Sequence, residues 1–245
     1  GLEIAPIPEE QLLAAGAGNK PPMSIFTRDR NLIGVLDLQG GVWEHLDHFD
    51  RIGIKAAPVK DASAIPGLAG LVIPGGESTC LSRLIRIFGL ERPLIEACNR
   101  GTRLWGTCAG AILLAQTLKG EEPHLGLINI ELERNSFGSQ LDSFFREVLV
   151  PKVAPDPVPL TFIRAPKIIR AGQGVDILLE MDGYIAAAET QEILVTVFHP
   201  ELTDSLAFHR YFARKCGLTL SGNVPARDPE WRMTSWTRYH PAPSC

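Results

Sequence analysis

The sequence predicts an α/β fold, a single-domain three-layer sandwich in which a mostly parallel sheet is flanked by helices. Two observations carry this prediction. From residue 31 onward, short apolar runs alternate with amphipathic ones, the order that buried strands and crossover helices produce. The chain of 245 residues, 45% hydrophobic and 21% charged, also holds enough apolar content for one sizeable core.

Each element follows from its pattern. N-L-I-G-V-L-D-L-Q-G, starting at Asn31, reads as a buried strand, V-W-E-H-L-D-H-F-D-R-I as a helix, I-K-A-A-P-V as a second strand and G-L-V-I-P-G-G as a third. The helical runs S-T-C-L-S-R-L-I-R-I-F and P-L-I-E-A-C-N-R follow, then the strand that ends at Cys108. Beyond it, G-L-I-N-I-E-L-E-R-N-S-F-G alternates as a strand, the prolines of residues 151–159 mark a loop, and V-P-L-T-F-I-R-A-P is another short strand. D-I-L-L-E-M and Y-I-A-A-A-E-T form a hairpin around Asp182 and Gly183. The last strand, Ile193 to Phe198, empties into His199, and the run L-T-D-S-L-A-F-H-R-Y-F begins a final helix.

Residues 31–218 are the expected folded body. Residues 1–30, with four prolines and the loose run A-A-G-A-G-N-K-P-P, read as a flexible extension, and residues 219–245 as a tail that is flexible or packs as an arm. A net charge of −4 gives no general pull on nucleic acid or an anionic membrane. No apolar stretch reaches the roughly 18 residues of a membrane span, and no secretory signal opens the chain, so a cytoplasmic location is expected. The five cysteines are scattered without C-x-x-C or metal-ligand spacing, which suggests a reducing compartment and a working thiol. No metal or cofactor is called for.

The chemistry concentrates at two strand ends. In R-L-W-G-T-C-A-G-A-I-L-L-A, glycines at 106 and 110 flank Cys108 where a strand turns into a helix. That is the thiol counterpart of a nucleophile elbow, which presents its reactive atom clear of neighbouring side chains, and the helix start favours thiolate. In E-I-L-V-T-V-F-H-P-E-L-T, His199 and Glu201 stand two apart, on one side of an extended segment held by Pro200. Cys108, His199 and Glu201 together supply nucleophile, base and orienting carboxylate.

Binding pieces surround them. P-G-G-E-S-T, residues 74–79, brings two glycines to a strand-to-helix turn where backbone N–H groups approach a ligand and Ser78 or Thr79 caps the helix. The N–H groups of Gly76 and Ala109 are the candidate donors for a tetrahedral oxyanion. Arg134 and Arg164 stand at strand ends, where their guanidinium forks suit a carboxylate. His45 and His48, with Glu44, are read as a solvated helix face, since no third metal ligand sits at a fitting offset. His124 and His209 suggest no chemistry.

The motifs G-V-L-D-L-Q-G-G-V-W-E-H, L-V-I-P-G-G-E-S-T, W-G-T-C-A-G, E-R-N-S-F-G-x-Q, F-I-R-A-P and F-H-P-E-L-T run in order from about residue 31 to 217. In this they resemble the family of glutaminase subunits of pyridoxal 5′-phosphate synthase, within the triad (class I) glutamine amidotransferases, whose sheet is flavodoxin-like. The resemblance implies hydrolysis of L-glutamine to glutamate and ammonia through a glutamyl thioester on Cys108, with His199 as base then acid and Glu201 orienting it. It places glutamine on Gly76, Glu77, Ser78, Arg134, Ile163 and Arg164. It also implies a partner, a barrel-shaped synthase subunit that receives the ammonia for vitamin B6 biosynthesis and switches the glutaminase on, reorganising Gln39 and the Gly75–Gly76 peptide.

Three residues depart from the family pattern: Asp37 in place of a small residue, Trp43 in place of a basic one, and Cys80 in place of threonine. Asp37 and Trp43 fall near the expected docking side, and Cys80 is expected to be a small buried thiol. Two other readings remain open, a stand-alone cysteine hydrolase of the same fold and a non-catalytic regulatory protein.

Overall fold

The computed structural model describes residues 31–134 and 143–220. The expected extension before residue 31, most of the tail, and the N-S-F-G-x-Q part of one motif lie outside the described residues. The first strands are β1 (Ile33–Leu36), β2 (Ala56–Val59), β3 (Gly70–Ile73) and β4 (Arg103–Thr107), with β12 (Ile193–Thr196) joining them later in the chain. They pair in parallel in the order β2-β1-β3-β4-β12. β1, β3 and β12 are buried at every position. Pro58, which cannot donate to a ladder, is tolerated in β2 because that strand is the sheet edge.

Four helices connect or flank these strands: α1 (Val42–Arg51), α2 (Ser78–Ile87), α3 (Glu91–Asn99) and the short α4 (Ala109–Leu114). A fifth, α5 (Ala207–Lys215), closes the described chain. The crossover through α1 runs toward β2, whereas that through α2 and α3 runs from β3 toward β4. Right-handed crossovers in opposite directions put their helices on opposite faces. α1 accordingly packs on α5, and α2 on α4, which gives the three layers.

The sheet continues past β12 by antiparallel pairing. β11 (Tyr184–Glu189) pairs with β12, with β9 (Lys167–Ala171) and with β10 (Asp176–Met181). β9 pairs in turn with β6 (Ile128–Glu133), which runs parallel to β5 (Ala115–Leu118) at the far edge. The β10–β11 hairpin turns where expected: Met181 pairs with Tyr184 and both turn residues, Asp182 and Gly183, take positive φ. A separate antiparallel pair, β7 (Ser143–Val148) and β8 (Val158–Ile163), lies beside the sheet.

Candidate active site, a cysteine–histidine–carboxylate cluster at the strand ends

Cys108 follows β4 directly and takes φ 48°, a left-handed value costly for a side chain with a Cβ. Both flanking glycines are required. A Cβ on Gly106 would sit 2.5 Å from the backbone of Gly110, and one on Gly110 would collide with the carbonyl oxygen of Ile73 in β3. The elbow predicted from sequence is therefore present and wedged against the neighbouring strand. The Cys108 N–H donates to Thr196 O of β12 at 2.8 Å, so the turn is fixed to two strands at once. The thiol is not the exposed one that an elbow suggests: Cys108 is 7% exposed, and Gly75 stands beside it. A Cβ on Gly75 would lie 3.3 Å from Cys108 Cβ and would overlap the His199 ring, which leaves room for glycine alone.

His199 leaves the end of β12, and its N–H donates to Thr161 O of β8 at 2.8 Å. Its Nδ1 lies 2.8 Å from Glu201 Oε1, and its ring is hydrogen-bonded to Cys108. The contact with Glu201 forms by a different route from the expected one. Residues Pro200–Leu202 make a turn of 3-10 helix rather than an extended segment, because Pro200 with its fixed φ starts a helical turn that folds the carboxylate back onto the ring. Glu201 does not cap the last helix; Leu206 occupies that position.

His199 and Glu201 are almost wholly shut from solvent. Burial alone would lower the His199 imidazole, but the Cys108 thiolate and the Glu201 carboxylate outweigh it and hold the ring well above its ordinary value. Burial would likewise raise Glu201, and His45 and His199 pull it below the ordinary carboxylate range.

The reading of α1 as a solvated face is wrong. His45 and His48 are 0% exposed and Glu44 is buried as well. His45 Nδ1 lies 2.9 Å from His209 Nε2 on α5, and His48 Nε2 lies 2.9 Å from Thr203 O, just past Glu201. These histidines face the core because each finds a polar partner distant in sequence, which a helical spacing rule does not reveal. His209, to which no role was assigned, belongs to the same cluster and packs on the Trp105 indole of β4.

The Gly-Gly turn after β3 runs beside this group. Gly76 has φ 150° and lies against Gln39, whose Nε2 donates to Glu77 O at 2.7 Å. Glu77, rather than Ser78 or Thr79, caps α2: its carboxylate accepts from Thr79 N at 3.0 Å and Cys80 N at 2.6 Å. Those bonds, with Arg134, offset burial and lower its carboxyl. Ser78 is buried in the first turn. Ala109, also buried, opens α4, where first-turn N–H groups have no helical acceptor.

Arg134, directly after β6, reaches this same helix end, with Nη2 3.6 Å from Glu77 Oε1 and Nη1 2.6 Å from Glu121 Oε2. Ile163 ends β8 half-buried, and Arg164 follows it exposed with φ 44°. Among the described residues only Cys108, Arg164 and the turn residue Asp182 are non-glycines at positive φ. Two of the three are thus site candidates, the pattern of strain gathered at a functional site.

Cys80 is exposed on the first turn of α2, not buried as expected, since that turn's core-facing positions are taken by Ser78 and Leu81. Trp43 stands 69% exposed at the start of α1, and Asp37 is paired with Lys60 at 3.3 Å. A cavity of about 510 Å³ lined by Ile65, Arg100, Arg103 and Cys216 lies at the amino ends of β3 and β4, away from all these residues. Among the described residues no His/Cys/Asp/Glu cluster could hold a metal, and no helix is long and apolar enough to cross a membrane.

Fold and cluster together define an α/β protein whose buried thiol, imidazole and carboxylate meet at the carboxyl ends of adjacent parallel strands, where open sheets place their ligands. Comparison with known proteins narrows this class. The model of the SNO glutamine amidotransferase family matches residues 35–218, and the chain belongs to that family. It is 58% identical over 214 residues to a pyridoxal 5′-phosphate synthase subunit PdxT of Syntrophus aciditrophicus, covering 86% of this chain and 96% of that one. A PdxT subunit of Ruminiclostridium cellulolyticum is 46% identical, over 74% of this chain and 97% of its own. A solved glutamine amidotransferase superposes with a TM-score of 0.71 at 39% identity, over 76% of this chain and 99% of that one. PurLQS of Thermotoga maritima shares the fold, with a TM-score of 0.56 at 13% identity.

Proposed function

We propose that this chain hydrolyses L-glutamine to L-glutamate and ammonia and delivers the ammonia to a barrel-shaped synthase subunit that builds pyridoxal 5′-phosphate. The observation that carries this reading is the contact of Cys108, His199 and Glu201 at the ends of β4 and β12, in a chain of the glutamine amidotransferase family. The names of its relatives support the synthase partner.

The Cys108 thiolate attacks the side-chain amide carbon, and the oxyanion that forms takes hydrogen bonds from the N–H groups of Gly76 and Ala109. His199, protonated between thiolate and carboxylate, gives its proton to the amide nitrogen, so the C–N bond breaks and ammonia leaves. The glutamyl thioester remains. His199, now neutral, takes a proton from water, whose oxygen attacks the thioester and releases glutamate and the thiolate. Glu201 keeps the ring oriented and its charge offsets the imidazolium. Arg134 and Arg164 supply the cations for the substrate's α-carboxylate, while Glu77, Ser78 and Ile163 shape the pocket between them. Arg134 exchanges its Glu121 contact for the substrate.

The test is to co-purify the chain with a synthase barrel subunit and compare glutamate release by the complex and by the chain alone. Strong stimulation in the complex, and specificity for glutamine, are expected. Full activity of the lone chain on unrelated amides or peptides would instead identify a free-standing cysteine hydrolase.

A further inference from the structure

We propose that His45 is a positioning residue for the hydrolytic cluster, donating from Nε2 to the second carboxylate oxygen of Glu201, with His209 fixing its tautomer. The proposal deepens the glutaminase reading and rests on it for the substrate alone. Glu201 uses Oε1 for His199, whereas its Oε2 is buried and makes no other hydrogen bond among the described residues. His45 Nε2 is also buried and otherwise unbonded, and it stands 3.5 Å from that oxygen. Two orphan polar groups of complementary kind, both at 0% exposure, therefore face one another. An unmade bond at such a site costs far more than a made one contributes, and a gap of this length commonly tightens when substrate binds.

The tautomer follows from a proton count. Burial pushes His45 from an ordinary 6.5 to about 4 against the opposing pull of Glu201, so the ring is neutral in use and carries one N–H. Were that hydrogen on Nδ1, the lone pair of Nε2 would face the carboxylate. With it on Nε2, Glu201 receives a donor, and Nδ1 accepts from His209 Nε2–H across the 2.9 Å separation. The backbone supports the same arrangement: His48, one turn further along α1, bonds Thr203 O and ties the helix to the turn that carries Glu201. The titratable groups facing His45 and Glu201 are His199 at the end of β12, His48 on α1 and His209 on α5, with Cys108 at the end of β4 acting on His199.

The discriminating pair is His45→Asn and His45→Gln, both polar and both smaller than the imidazole. The Asn amide occupies the Nδ1 position and keeps the His209 contact, whereas only the longer Gln places an N–H near Nε2, within reach of Glu201. Two readouts are taken on the full chain with its synthase subunit. One is kcat and KM for glutamine across pH; the other is the rate of Cys108 alkylation by iodoacetamide across pH, followed by mass of the Cys108 peptide.

His45→Asn is expected to lower kcat about tenfold or more, the worth of one hydrogen bond to a buried charge, with KM nearly unchanged. Its acid limb moves to higher pH in both readouts, because a carboxylate that loses a donor protonates more easily. His45→Gln restores most of both. Equal loss in Asn and Gln in proportion to lowered Tm, or a parental kcat and acid limb in Asn, would overturn the proposal. A parent complex that ignores glutamine would refute the glutaminase reading, and the alkylation profiles would still decide for or against His45.

Discussion

β3, β4 and β12 run parallel and end side by side, whereas β6 and β8, which lead into Arg134 and Arg164, pair antiparallel with β9 and β7. The first group delivers buried, mutually bonded side chains: Cys108 at a strained turn, and His199 and Glu201 sealed from solvent. The second group delivers arginines, Arg134 one-fifth exposed and Arg164 more open still. On the proposed glutaminase reading, the difference teaches a division of labour. Bond making needs desolvated groups held in register, which a buried parallel ladder provides. Recognition of a charged, diffusing substrate needs cations that water can still reach.

That division predicts that changes on the parallel side reduce kcat, and changes on the antiparallel side raise KM. The largest effect is expected from Cys108→Ala, which should cut glutamate release by about four orders of magnitude or more while pyridoxal phosphate synthesis from added ammonium salts survives. A parental rate in that variant would remove the nucleophile from the mechanism. Glu201→Gln should also act on kcat, but with a loss roughly fifty- to a hundredfold smaller, because an orienting group is easier to replace than a nucleophile.

Across the divide, Arg134→Met should raise KM for glutamine by about ten- to a hundredfold, the worth of a charge-assisted bond, and leave kcat within a few fold. A fall in kcat with unchanged KM would erase the distinction between the two regions.

The smallest expected effect concerns stability. His45 has its pKa depressed from 6.5 to about 4, so the unfolded chain binds the extra proton first and stability falls as pH drops from 6.5 toward 4. Glu201, lowered from 4.5, adds stability that is complete above 4.5 and lost as pH falls through its folded value. Thermal unfolding between pH 4 and 7 should therefore show a shallower acid loss in His45→Gln than in the parent. Identical slopes would remove His45 from that account.

The same two regions differ in how well the sequence reveals them. I-G-V-L, G-L-V-I and I-L-V-T are short apolar runs closed by glycine, proline or a polar residue, so the parallel strands and the chemistry at their ends were legible. β5 was not, since A-Q-T-L continues α4 without a breaker and reads as more helix. β7 has the mostly exposed sequence S-F-F-R-E-V, in which neither face repeats, and β9 is the short run K-I-I-R-A between β11 and β6; both owe their form to partner strands. Within the site, Cys108, His199 and Glu201 were legible because each stands just past the end of a strand that the apolar pattern reveals, whereas the contacts between helices were missed. His199 and Glu201 lie two apart, but His45 and His209 meet across 164 positions, and a polar residue on a helix gives no sign that its partner waits in the core.

The central claim is that glutamine is cleaved at the Cys108 thiol. The most direct measurement is to mix the chain and its synthase subunit with isotopically labelled glutamine, quench in acid during turnover, and determine by mass spectrometry which peptide carries label. A single glutamyl group on the peptide containing Cys108, absent from Cys108→Ser, is the predicted result. Continued glutamate release without that adduct in the parent, or with the label on another residue, would contradict it.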